Sequence, residues 1–188
     1  MLFLLRKRCS MKVYKCSLDS MAKYGGPGLI LAIMLLTLVT TLFVSTTTTD
    51  NKVIYIQFIT PIILIILFIA MYLLKTLSVS VADDSITINR KIKPVVIEFS
   101  EIASIRRVDD MKFAMRTFGN GGLFGYTGMY YKKGIGSMTW YCTQRQNYIL
   151  IEKTGGKKLV VTPDDADGFM QEIAAKHAYL ITTDQQSA

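Results

Sequence analysis

Two apolar runs, 28–44 and 53–74, follow one another near the start of the chain, and neither contains Asp, Glu, Lys or Arg. A hydrocarbon core of roughly 30 Å is crossed by about 20 apolar residues in a helix, and both runs approach that length. Inside a bilayer the backbone amides must find their partners within the segment, which favours helices. The pattern predicts a transmembrane helical hairpin over 28–75, with a basic segment 1–27 before it, a domain over 76–180 after it and a flexible tail over 181–188. Gly25-Gly26-Pro27-Gly28 gives the first helix a flexible approach, and Pro61 predicts a kink in the second. The carbonyl freed by Pro61 is expected to meet Thr60 or the partner helix. Pumps and transporters depend on intramembrane charges. These runs have none, so the hairpin reads as an anchor.

The charge distribution orients it. Residues 1–52 carry Arg6, Lys7, Arg8, Lys12, Lys15, Lys23 and Lys52 against Asp19 and Asp50, whereas residues from 53 onward hold 15 basic and 12 acidic residues. Juxtamembrane Lys and Arg mark the cytoplasmic side and attract anionic headgroups. Arg6, Lys7, Arg8, Lys12, Lys15, Lys23 and, after the second run, Lys75 therefore place both termini in the cytoplasm, with the loop 45–52 outside. A cleaved signal peptide fits the basic flank, but the first run is long for one and no A-x-A-like site follows it. The net charge of +8 comes with no basic stripe or nucleic-acid motif, so no nucleic-acid partner is expected. Cys9, Cys16 and Cys142 form no CxxC pair and His177 is the one histidine. Free thiols, no metal site and no cofactor are expected.

Past Lys75 the apolar period changes to two. Leu77, Val79 and Val81 alternate with polar residues, Asp83-Asp84 supply a turn, and Ile86 and Ile88 continue the alternation as a hairpin. Further strands are predicted over 95–99, 102–108, 113–118, 137–143, 148–152 and 158–161, with a turn at Lys153-Thr154-Gly155-Gly156-Lys157. Met138, Trp140 and Cys142 share one strand face, with Trp140 in the core. Thr162-Pro163-Asp164-Asp165 reads as a helix start with Thr162 as cap and Pro163 in the first position. Phe169, Ile173 and then His177 or Ala178 form the packing stripe of that helix. The fold class is thus α+β: about seven antiparallel strands closed by a C-terminal helix, behind the two-helix hairpin.

The stretch Arg116-Thr117-Phe118-Gly119-Asn120-Gly121-Gly122-Leu123-Phe124-Gly125-Tyr126-Thr127-Gly128 resembles the central signature of a bacterial PH-like (pleckstrin-homology) family whose domains sit beside membrane spans. The strand over 147–151 and the Thr162-Pro163-Asp164 step fit the same pattern, and the resemblance covers roughly 76–177. It implies a small, partly open antiparallel β-barrel capped by a helix, in a bacterial inner-membrane setting, and no established activity. One departure is Asp83-Asp84 in the first hairpin. Eukaryotic phosphoinositide readers place basic residues there, whereas this acidic turn repels phosphate.

The most unusual chemistry lies over 116–136, where glycines interleave with aromatics. A dinucleotide fingerprint starting at Gly119 fails, because position 124 is Phe and no strand–helix unit surrounds it. One reading is structural: glycines permit tight bends in a long hairpin with aromatics packed beneath. The other is functional: Arg116, Phe118, Phe124, Tyr126, Tyr130, Tyr131, Lys132 and Lys133 contact a protein partner or anionic lipid. No catalytic residues are identified. His177 falls near a helix end in a packing or solvated role, and the Asp pairs fall in turns and at the helix start, so no enzyme is expected. The function anticipated is a non-catalytic, membrane-anchored scaffold that presents its domain to a protein at the inner membrane. The alternatives are a reader of anionic lipid or of a small ligand through 116–136, and an accessory subunit of a transport or envelope complex. In the last case Thr37, Thr40 and Thr41 would offer the helix contacts.

Overall fold

The computed structural model describes residues 11–47 and 51–181. Arg6, Lys7, Arg8 and Cys9, the connection 48–50 and the tail 182–188 lie outside the described residues. The two apolar runs form helices α1 (Gly26–Thr47) and α2 (Asn51–Leu73), which pack against each other. A π-helical turn, Met21–Gly25, leads into α1, with the Gly26 amide bonding Met21 O. Together they make an apolar helix of 27 residues, Met21–Thr47, long enough to cross a membrane. Among the described residues this is the one helix that meets both length and composition; the apolar stretch Phe58–Leu73 of α2 is shorter. Two membrane spans are therefore not established. Because α1 runs on to Thr47, the connection is also shorter than the expected loop 45–52.

Several threonine hydroxyls of these helices bond carbonyls of their own helix. Thr37 Oγ1 donates to Met34 O at 2.8 Å, and Thr41 Oγ1 to Thr37 O at 2.7 Å. Such back-bonding supplies a threonine hydroxyl with an acceptor inside an apolar helix. Pro61 lies inside α2, and Thr60 Oγ1 donates to Ile56 O at 3.1 Å. Thr60 thus serves the carbonyl of Ile56, five residues before the proline, whereas an α-helical ladder would free that of Gln57.

Among the described residues the β region holds ten strands in two sheets where a partly open antiparallel barrel of about seven was expected. The first sheet has the order β1 (Lys12–Lys15), β2 (Thr76–Val81), β3 (Ser85–Arg90) and β4 (Val95–Glu98). The second contains β5 (Ile102–Val108), β6 (Met115–Gly121), β7 (Tyr126–Lys132), β8 (Gly136–Cys142), β9 (Tyr148–Lys153) and β10 (Lys158–Val161), ordered β5-β9-β10-β8-β7-β6. Neither sheet closes on itself. The arrangement is also not wholly antiparallel. The hairpin β9–β10 returns β10 between β9 and β8, so β10 and β8 run parallel, with Val160 opposite Trp140. β1 lies before both helices in sequence yet pairs antiparallel with β2 after them, Tyr14 opposite Val79. The basic N-terminal segment, read in the sequence only for its charge, holds over these residues an edge strand of the first sheet.

Alternation along the strands gives the six-stranded sheet two apolar faces. Ile105, Ile149, Ile151 and Val161 turn toward the first sheet, where they meet Val79, Val81, Ile86, Ile88 and Ile97. The final helix α3 (Ala166–His177) adds Phe169 and Ile173 to the same core. Each such fully buried side chain contributes roughly 1.5–3 kcal/mol over its exposed state. Leu150, Val160, Tyr148, Met138, Trp140 and Tyr130 turn the other way and form a second core with Met111 and Ala22.

The start of α3 differs from the expected one. Asp165 is the cap, its carboxylate accepting from the Gly168 amide at 2.8 Å. Thr162 is fully buried, and its hydroxyl accepts instead from the Thr143 amide at 2.9 Å. Asp164 accepts from the Ser17 hydroxyl at 2.6 Å, which holds the chain after β1 against the helix start. His177 packs on Phe99, ring centroids 4.0 Å apart, with Nε2 3.1 Å from Asp83 O. Lys176 pairs with Asp83 at 3.1 Å, so the acidic first hairpin is tied to the last turn of α3.

Candidate functional site

The glycine-rich stretch is the hairpin β6–β7, at the open edge of the six-stranded sheet. Gly119 and Gly128 stand opposite each other, with φ of 109° and 134°. A Cβ on Gly128 would run into Phe118 O, and one on Gly119 into Thr127 O. The two backbones come this close because neither residue carries a side chain. At the tip, Asn120 closes the turn: its Oδ1 accepts from the Leu123 amide at 3.0 Å and its Nδ2 donates to Gly125 O at 3.1 Å.

The tip is fastened to the helices. The Phe124 amide donates to Ala22 O at 3.1 Å, and the Phe124 ring stands edge-on to Phe68 and Tyr72 of α2, each at 5.2 Å. Phe124 is therefore half-buried against α2. Tyr126 and Tyr130 also point inward, only 2% and 5% exposed. Neither can serve as the surface contact expected of it, since strand alternation sends both side chains into the second core. The Tyr126 hydroxyl donates to Asp19 at 2.9 Å, and that of Tyr130 to Asn120 O at 2.9 Å. Tyr130 stacks on Trp140 with centroids 4.1 Å apart and an interplanar angle of 10°. Burial, followed by the Asp19 contact, pushes the Tyr126 phenol up to about 12.

The remaining predicted contacts divide between two faces. Phe118 and Tyr131 are exposed, as are Met115 and Met129 beside them. Cross-strand pairing of Phe118 with Met129 and of Met115 with Tyr131 puts all four on one face. Arg116 pairs with Tyr130 and so lies on the opposite face. Lys132 is drawn down to Asp110, bonding its carbonyl and, at 3.5 Å, its carboxylate. Lys133 is exposed. The lysine pair does not act as one cationic patch. Among the orientation residues, Lys12 reaches Glu172 at 3.5 Å, Lys15 is exposed on β1, and Lys23 and Lys75 lie 4.8 Å and 4.9 Å over the rings of Tyr24 and Tyr72.

Beneath the inner face is a cavity of about 510 Å³ lined by Arg116, Tyr126, Tyr130, Trp140, Arg145 and Tyr148 among others. Arg145 lies 4.8 Å over the Tyr126 ring. Asp19, Arg145 and Tyr148 were not singled out in the sequence. The alternation of Tyr148 with Ile149 was the available signal for its inward position. Asp19 sits in a segment with no period to place it. Cys16 and Cys142 are buried free thiols. Burial, followed by the charge of Asp164, pushes Cys16 up to about 12, and burial raises Cys142 as well. Among the described residues no three His, Cys, Asp or Glu side chains gather to hold a metal ion.

No curated protein and no solved structure matches the chain. A family model described as Bacterial PH domain matches residues 77–177, from within β2 to the last residue of α3. That span is more than half of the sequence, and its two sheets with a closing helix carry the hairpin that prompted the resemblance; the chain belongs to the bacterial PH domain family.

Proposed function

We propose that this chain is a non-enzymatic binding protein, anchored by α1 and α2 in the bacterial inner membrane, that presents its PH domain, 76–180 with β1 added, to a protein partner. In this reading both helices span the bilayer and both termini lie in the cytoplasm. The observation that carries it is the outer face of β6–β7. Met115, Phe118, Met129 and Tyr131 are exposed together on a strand pair whose outer member, β6, has no neighbour on one side. An apolar face beside an open sheet edge marks an interaction surface, and strand addition to such an edge is a recurrent mode of peptide recognition. Tethering raises the local concentration for partners in the same membrane. The anionic-lipid alternative draws less support, because Lys132 is engaged by Asp110.

The test is photocrosslinking in bacterial cells from a benzophenone side chain at position 118, with the exposed Val96 of β4 as control position. The reading expects a protein adduct from 118 and none from 96, lost when Met129→Asp is added. Adducts to lipid alone would move the function to the lipid alternative. Equal adducts from both positions would remove the hairpin from it.

A further inference from the structure

The cavity on the inner face of β6–β7 has no role in that reading, since Met129 and Tyr130 are consecutive in β7 and face opposite ways. Its volume, about 510 Å³, lies within the range of small-molecule sites. Its walls combine two features. Tyr126, Tyr130, Trp140 and Tyr148 give an aromatic floor, in which Trp140 stacks on Tyr130 and lies 5.4 Å from the Tyr148 ring. Lys112, Arg116 and Arg145 bring positive charge, opposed in the lining by Asp109, which Arg107 already pairs at 3.2 Å. Neither Arg116 nor Arg145 has a carboxylate partner among the described residues, and both are exposed at the cavity.

A third observation points the same way. Trp140 is 4% exposed, and its indole N–H has no hydrogen-bond partner among the described residues. A buried unsatisfied donor is costly, and native structures rarely keep one without a use. The Trp140 ring lines the cavity, which makes its indole N–H a reporter of that wall.

We infer that this cavity is a binding site for a small aromatic carboxylate: the ring packs among Tyr126, Trp140 and Tyr148, and the carboxylate meets Arg116 and Arg145. Flat apolar bodies suit aromatic walls, and guanidinium groups match a carboxylate with paired donors.

Trp140 is the single tryptophan of the chain, so its indole N–H gives one resonance in a nitrogen–proton correlation spectrum. The test is titration of the full-length chain in detergent micelles with 2-naphthoate, and in parallel with the uncharged 2-naphthylmethanol. The inference expects a saturable shift of that resonance by naphthoate, with binding about ten-fold weaker for the alcohol and about ten-fold weaker for Arg116→Gln/Arg145→Gln. Both arginines are exposed, and an unchanged starting position of the indole resonance verifies that the double variant is folded. No saturable shift at millimolar naphthoate overturns the inference. So does equal binding of the acid and the alcohol to the unaltered chain, a comparison that needs no variant. Neither result touches the outer-face crosslinking from position 118.

Discussion

The phenol of Tyr126 donates to the carboxylate of Asp19 at 2.9 Å, joining β7 to the segment that leads into α1. Asp19 also accepts from the Ala22 amide at 2.8 Å, so one carboxylate organises both the hairpin and the turn before the helix.

This contact gives the protein an alkaline limit. Burial and then Asp19 raise the Tyr126 phenol from the ordinary 10.0 to about 12. Below pH 10 the phenol is protonated in folded and unfolded chains alike, and its contribution is intact. Above pH 10 the unfolded chain loses the proton first, so stability falls as pH rises from about 10 through about 12. Denaturant unfolding of the full chain in detergent at several pH values checks this. Tyr126→Phe is expected to cost about 1 kcal/mol at neutral pH, the worth of one hydrogen bond, and to make the alkaline fall shallower. An equally steep fall in the variant would assign it to other groups.

Gly128 tests the close approach of β6 and β7. Gly128→Ala places a methyl group against Phe118 O at a φ of 134°. Backbone strain of this kind costs on the order of 1–3 kcal/mol. Amide exchange in Met115–Gly121 and Tyr126–Lys132 is expected to accelerate by about ten-fold or more, while β2 and β3 keep their protection. Gly134→Ala is the matched control, since it has a φ of 89° but open space around it. It is expected to be milder, because it adds strain without a clash.

Phe169 and Tyr14 test whether β1 belongs to the domain. Phe169 is fully buried, and Tyr14 meets it edge-on at 5.3 Å. Phe169→Ala is expected to lose about 3–5 kcal/mol. Tyr14→Phe removes the hydroxyl that donates to Gly168 O at 3.0 Å and should lose about 1 kcal/mol. Unfolding free energies of the two single variants and the double variant would show coupling between them if β1 packs on α3. Strict additivity would detach β1 from the core.

Strands with a simple apolar alternation were legible in the sequence. β2, β3, β8, β9 and β10 lie close to where Val79, Ile86, Trp140, Ile149 and Val160 placed them, and Phe169 and Ile173 form the packing stripe of α3 as their spacing implied. β7 was hidden because Gly128 interrupts its pattern and glycine weakens the strand signal. β1 was hidden for a different reason: its hydrogen-bonding partner lies beyond both helices, where no local pattern can point to it. At the site, the aromatic residues of 116–136 were visible but their direction was not. The bulge in the pairing between Arg116 and Phe118 breaks the parity that would have sorted inward from outward residues in β6.

The pairing of β1 with β2 makes the helical pair an insertion within a sheet rather than a stalk ahead of one. During synthesis β1 leaves the ribosome first, but its edge stays open until α1, α2 and β2 have all followed. The first sheet can therefore be completed only after both helices have been synthesised. A fragment cut at Thr76 would begin with an uncovered β2 and leave Phe169 without Tyr14.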